Sequence, residues 1–128
     1  MQAEQTTSSG RLWAARIISG LPALFLLMDG AMKLVKPAFV VEATVGLGYP
    51  ESVIIPIGVV LIVCTILYLI PKTSVLGAIL LTGYLGGAVA THVRTGESLF
   101  ALIFPVIVGV LLWLGLYLRN AKLRALFG

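Results

Sequence analysis

Charged residues are scarce in this sequence, and their scarcity excludes water as the main solvent around the chain. Only 11% of the 128 residues are charged and 59% are hydrophobic, and the mean hydropathy is +1.09. A soluble domain carries about a quarter charged residues, so this chain has too few to cover a water-facing surface. The length fits one domain. We therefore expect a protein embedded in a lipid bilayer.

Cysteine is nearly absent. Cys64 is the one cysteine, and it lies in an uncharged run where it is expected to act as a small hydrophobic side chain. A single thiol excludes an intrachain disulfide, a CxxC redox motif and a thiolate metal cage. A structural zinc site needs about four ligands, and the rest of the chain does not supply them. The sequence therefore predicts no metal site and shows no cofactor motif.

Long hydrophobic runs are what the sequence does have. Four of them, at about residues 12–34, 52–70, 73–93 and 98–118, reach the length of about 20 residues that a spanning helix needs. They predict an all-α fold, an integral membrane four-helix bundle over residues 11–128. The polar residues 1–10 are expected to form a disordered tail. The first run could instead be a cleaved signal peptide, but no A-x-A-like site follows it, so four uncleaved spans are the preferred interpretation.

The distribution of lysine and arginine predicts the orientation of the bundle. Four spans place both termini and the second loop at one end, which then holds six basic residues: Arg11, Arg16, Lys72, Arg119, Lys122 and Arg124. The other end holds three: Lys33, Lys36 and Arg94. This excess predicts a multi-pass protein of the bacterial inner membrane with cytoplasmic N and C termini. The basic residues flank apolar runs and form no stripe, so no nucleic-acid partner is expected.

The first loop contains apolar residues and is predicted to fold. Pro37 suits the first turn of a helix, and Gly46 and Gly48 are suited to end one. We expect a short interfacial helix over Pro37–Val45, between the first and second spans, that covers one mouth of the bundle.

The third span carries a row of small residues that is typical of close helix packing in lipid. Gly83 and Gly87 form a G-x-x-x-G motif, Thr91 continues the row, and Gly86 lies beside it. The motif is common by chance, so two interpretations stay open: packing inside the bundle or contact with a second copy of the chain.

Polar residues at membrane depth are costly and mark candidate sites. Asp29 and Lys33 are four residues apart on the first span and are expected to pair. Antiparallel spans place them level with one end of the third span. The candidate ligand-binding residues are Asp29, Lys33, Glu42, Tyr84, His92 and Arg94. The cluster is either an ion-paired clasp between the first and third spans or a polar site that binds an amphipathic molecule.

His92 is the single histidine, and its role is open. A lone histidine near a helix end is more often a hydrogen-bonded structural residue than a ligand. Tyr49 is most simply an interfacial or packing residue. No catalytic residue is assigned.

Several stretches resemble the DoxX-like membrane proteins. They are LPALF at 21–25, GAMKL at 30–34, KPAF at 36–39, GYP at 48–50 and GAILLTGYLGGAVATH at 77–92. The similarity covers roughly residues 16–125. It implies a four-helix membrane bundle. The family takes its name from a membrane subunit of a quinone-linked sulfur oxidoreductase, and the broader group is similar to chaperones of membrane proteins.

Three functions follow as hypotheses. The first is a non-catalytic subunit that binds a lipophilic, quinone-like molecule in an outer-leaflet polar pocket and serves a redox partner. The second is an accessory or chaperone-like protein that docks on another membrane protein, or pairs with itself, through the small residues of the third span. The third is a small proton-coupled transporter, which Asp29 disfavours because Lys33 lies one turn away and the charge bias opposes dual topology.

Overall fold

A computed structural model describes the side chains of residues 10–127. Six helices follow one another along the described backbone, residues 2–127: α1 (Gln2–Val35), α2 (Ala38–Gly46), α3 (Ile54–Leu69), α4 (Ser74–Thr95), α5 (Leu99–Arg119) and α6 (Ala121–Leu126). A 3-10 turn, Glu51–Val53, leads into α3. The predicted all-helical fold is confirmed. The predicted disordered tail at residues 1–10 falls almost entirely outside the described side chains and stays a prediction.

Among the described residues, four segments are long and apolar enough to cross a membrane, as predicted. They are Gly10–Val35, Glu51–Leu69, Ser74–Thr95 and Leu99–Arg119. The helices form a ring in which α1 and α4 each pack against α3 and α5, so that α1 and α4 face each other across the bundle. Large apolar side chains on the outer surface, such as Leu21, Val60 and Val110, are more than half exposed. Lipid is the solvent that such a surface requires.

The short connections end one helix and start the next by local geometry. Lys36 has a left-handed φ of 58°, and Pro37 then caps α2 in an extended conformation. The short helix predicted between the first two spans is therefore confirmed, one residue later than expected. Gly96 ends α4 at φ 72°, a conformation that glycine adopts without steric penalty. The Ser98 side chain then caps α5 by accepting from the Ala101 amide.

Close helix packing depends on glycines other than the predicted row. A Cβ at Gly77 would overlap the backbone nitrogen and Cα of Tyr68, where α3 and α4 form a tight hairpin. A Cβ at Gly115 would overlap Ser19, where α5 meets α1. These contacts bring helix backbones together as small residues do in membranes.

The glycines of the α4 row make no close helix contact within the described chain. A Cβ at Gly83, Gly86 or Gly87 would meet no atom within 4 Å. Thr91 is buried, but its hydroxyl contacts Tyr49 of the first loop. The reason is the ring arrangement: these glycines face open space beside the α3 and α5 contacts and line two separate cavities. Contact with a second copy stays a prediction.

Candidate functional site

A cavity of about 520 Å³ lies inside the ring of helices, at the end that holds the first loop, and we call it the central cavity. Its polar lining residues are Asp29, Lys33, Thr44, Tyr49, Tyr84, Thr91 and His92. Its apolar walls include Phe25, Leu26, Ile57, Leu85, Phe104 and Val108. The cavity falls within the size range of small-molecule sites, about 300–1,000 Å³. One end is polar and the rest is apolar.

Four of the predicted site residues meet in this cavity because of where the helices end. Asp29 and Lys33 lie in the last turns of α1, and Tyr84 and His92 lie on the facing side of α4. The space between them exists because α1 and α4 lie on opposite sides of the ring.

Asp29 and Lys33 form an ion pair within α1. Lys33 Nζ donates to Asp29 Oδ1 at 2.8 Å, and the two side chains are 36% (Asp29) and 15% (Lys33) exposed. The base of Lys33 is held by α3, since a Cβ at Gly58 would lie 2.8 Å from the Lys33 Cβ. The packing therefore directs the ammonium group along α1 to its partner.

Removing Lys33 is expected to destabilise the protein more than removing both members of the pair. Lys33→Ala leaves an unpaired carboxylate at membrane depth and should lower the free energy of unfolding by about 1–2 kcal/mol. The double variant Asp29→Asn, Lys33→Ala should lose less, because no charge is stranded. Thermal melts in detergent measure the difference.

Lys36 provides the matched control for this cycle. It pairs with Glu51 at 3.3 Å, but Glu51 is 59% exposed. Lys36→Ala should therefore change stability by no more than about 0.5 kcal/mol. If the losses of stability caused by changing Asp29 and Lys33 were additive, the two side chains would not be energetically coupled, which would contradict the pairing.

His92 lines the central cavity and has one buried ring nitrogen without a partner. Its Nδ1 is inaccessible to solvent and has no hydrogen-bond partner among the described residues. A buried polar atom left unpaired costs about 1–3 kcal/mol, and such atoms in native proteins call for an explanation. The residue itself lines the central cavity, but this nitrogen is turned away from the accessible space.

The first loop closes the cavity and is tied to α4. Tyr49 and Thr91 share a hydrogen bond of 2.6 Å between their hydroxyl oxygens. Arg94 Nη2 donates to the Leu47 carbonyl at 2.7 Å. Gly48 lies between these two anchors at φ 96°, beside the Arg94 guanidinium. The segment from Thr44 to Tyr49 is thereby held across the mouth of the cavity.

Two predicted site residues lie outside the central cavity. Arg94 points to the loop from the last turn of α4, where it binds the Leu47 carbonyl. Glu42 is exposed on α2. The alternative of an ion-paired clasp between the first and third spans is also not what the described residues show: their ion pairs are Lys33–Asp29, within α1, and Lys36–Glu51.

Sequence reasoning missed Tyr49, Thr44 and Leu47 as lining residues. Tyr49 was expected to be an interfacial or packing residue, and it contacts Thr91 instead. The signal that points to it is the turn Gly48-Tyr49-Pro50, which fixes the tyrosine just after the short helix.

The central cavity offers hydrogen-bond donors at one end and apolar, partly aromatic walls elsewhere. The donors are Lys33, Tyr84 and His92, and the aromatic walls include Phe25 and Phe104, whose rings pack edge to face at 5.2 Å. Within residues 10–127 no three His, Cys, Asp or Glu side chains lie together as metal ligands. The arrangement is suited to an amphipathic molecule with acceptor atoms on its head.

Comparison with known proteins agrees with this architecture. The model of the DoxX-like family matches residues 17–115, which is well over half of the chain. The match includes the second and third spans, most of the first and fourth spans, the first loop and the polar residues of the central cavity. No curated protein and no solved structure matches the sequence. The chain is a multi-pass membrane protein and belongs to the DoxX-like family.

Proposed function

We propose that the central cavity binds a quinone-like molecule and that the protein serves as a non-catalytic membrane subunit of a redox system. The observation that carries the proposal is the central cavity itself, which gathers Lys33, Tyr84 and His92 at one end of an otherwise apolar space. A quinone has a flat ring, carbonyl acceptors and an apolar tail, and each feature meets a matching part of the cavity.

The polar end of the cavity supplies donors to the ring carbonyls. His92 and Lys33 come from opposite walls, and Tyr84 lies on the same row of α4 as His92, about two turns away. Phe25 and Phe104 provide aromatic surface for the ring, and Leu26 and Val108 provide apolar surface for the start of a tail. Binding of this kind depends on a few placed polar groups in an otherwise apolar site.

Electron transfer would belong to a partner protein in this proposal. Cys64 is the one thiol of the sequence, and no motif for a redox cofactor is present. The subunit would hold the quinone ring at the end of the bundle that carries the first loop, where a partner reaches it.

The test is binding of a benzoquinone with a decyl tail, measured by native mass spectrometry in a mild detergent and by quenching of tryptophan fluorescence. Asp29→Asn, His92→Ala is expected to weaken binding at least about tenfold, because one lost hydrogen bond of 1.4 kcal/mol has that effect. The control Glu42→Gln changes an exposed carboxylate outside the cavity and should bind as the wild type does. Equal binding by all three proteins would contradict the proposal.

A docking role is the second candidate, and one observation favours it. Gly86 lines a cavity on the outer side of α4 and has no neighbour that a Cβ would meet, so this face of α4 could accept a helix of another membrane protein or of a second copy. A stoichiometric protein that co-purifies irrespective of the Asp29 and His92 substitutions would support this role over quinone binding.

Proton-coupled transport is the least supported proposal. Asp29 is held by Lys33 at 2.8 Å, and an export cycle needs an acidic group that is free to exchange protons. If proton-driven uptake by vesicles were unchanged in Asp29→Asn, the transport proposal would be refuted. The proposed location is the bacterial inner membrane with both termini in the cytoplasm, supported by the excess of basic residues at that end of the bundle.

A further inference from the structure

A second cavity lies on the outside of the bundle, between α4, α5 and α6, and we call it the outer groove. Its volume is about 580 Å³, and Gly86 and Gly109 lie at its base. Its wall contains Thr82 and Trp113, whose polar atoms bind each other: Trp113 Nε1 donates to Thr82 Oγ1 at 2.6 Å. Because these polar atoms bind each other, a molecule bound in the middle of the groove would meet mainly apolar surface.

The length of the outer groove matches one leaflet of a bilayer. Along α5 it runs from Pro105 to Tyr117, which is about 18 Å at 1.5 Å per residue. Half of a hydrocarbon core of about 30 Å is close to that length. A spanning helix of a partner would need a groove along the whole of α4 and α5. A lipid acyl chain needs only this half.

The groove ends among basic side chains. Arg124 Nη1 donates to the Tyr117 carbonyl at 3.0 Å and to the Leu118 carbonyl at 2.7 Å, which places its guanidinium beside the last lining residue of α5. Lys122 is exposed and precedes Leu123, which lines the groove. The ion pairs Lys33–Asp29 and Lys36–Glu51 lie at the opposite end of the bundle and involve neither side chain.

Aromatic residues close the same end. The rings of Tyr117 and Phe127 pack edge to face at 5.9 Å, and both residues line the groove. Phe127 and Leu126 are largely exposed next to Lys122. Apolar and basic side chains side by side are typical of a segment that lies at the membrane interface.

We propose that the outer groove binds one anionic phospholipid, with an acyl chain over Gly86 and Gly109 and the phosphate at Lys122 and Arg124. Basic pockets between membrane helices bind anionic head groups in this way. The site is separate from the central cavity. Leu85 and Pro105 form the wall between the two.

The test is titration of the detergent-purified protein with phosphatidylglycerol and with phosphatidylcholine of identical acyl chains, followed by native mass spectrometry. The wild type should bind phosphatidylglycerol more tightly. Lys122→Gln, Arg124→Gln should weaken that binding by about fivefold for each charge removed, and should leave phosphatidylcholine unchanged. Lys72→Gln removes a charge from the same end of the bundle, outside the groove, and should keep the preference.

A second pair of variants tests the acyl chain. Gly86→Leu fills the groove without a clash, because a Cβ there meets no atom within 4 Å, and should lower binding of both lipids. Gly87→Leu, which faces the central cavity, should not. Arg124→Lys keeps the charge and should keep the preference even if α6 loosens, which separates the charge from the structural role of Arg124.

Three outcomes would overturn the proposal. The first is equal affinity of the wild type for the two lipids. The second is an unchanged preference in the double glutamine variant. The third is a protein dimer that Gly86→Leu disrupts, since the groove would then be an interface between copies.

Discussion

Replacing Gly77 by alanine is expected to prevent stable folding of the bundle. The added methyl group would overlap the backbone nitrogen and Cα of Tyr68, and it would also approach the carbonyl carbon of Leu67. A backbone cannot rotate away as a side chain does, so α3 and α4 must separate. We expect a loss of about 3 kcal/mol or more, at the upper end for overpacking.

The separation would also disturb the contacts that Tyr68 makes with α5. Its hydroxyl donates to the Leu112 carbonyl of α5. Arg119 donates to the Tyr68 carbonyl at 3.0 Å, and its guanidinium lies 4.7 Å from the ring centre. Moving Tyr68 therefore changes the contacts of three helices at once, and the loss should be cooperative.

Gly83→Ala is the matched control for Gly77→Ala. Both residues lie on α4, but Gly83 has no atom within 4 Å of an added Cβ. Alanine is favoured over glycine in a helix by about 1 kcal/mol, so this variant should be neutral or slightly more stable. Thermal melts and the yield of monodisperse protein in detergent compare the two. Equal stability of the two variants would contradict the tight hairpin.

The contrast between these glycines shows what the sequence could predict. The four spans follow from hydrophobic length, and the short first-loop helix follows from Pro37 and the glycines after it. The glycines that pack did not follow from the G-x-x-x-G motif. Gly77 and Gly115 contact neighbours because of helix order around the ring, and a motif on one helix carries no information about that order.

The candidate site was predictable to the extent that it depends on helix ends. Asp29, Lys33 and His92 meet because antiparallel spans bring those ends level. Arg94 lies at the same level, but its side chain binds the first loop. Glu42 and Tyr49 depend on the path of that loop, which spacing along the chain does not determine.

Filling the central cavity from α4 is expected to abolish quinone binding without unfolding the protein. Gly87 lines the cavity, and a Cβ there meets no atom within 4 Å. A leucine side chain at this position would occupy part of the cavity. We expect Gly87→Leu to lower the affinity for the decyl benzoquinone by more than about a hundredfold, which corresponds to about 2.8 kcal/mol.

Gly86→Leu is the control. It makes the same glycine-to-leucine change at the neighbouring position, which faces the outer groove and not the central cavity. It should bind the quinone as the wild type does, and both variants should melt at or above the wild-type temperature, since leucine is a better helix former than glycine. Quinone affinity that falls equally in both variants would indicate a general effect on the bundle. An unchanged affinity in Gly87→Leu would place quinone binding outside the central cavity.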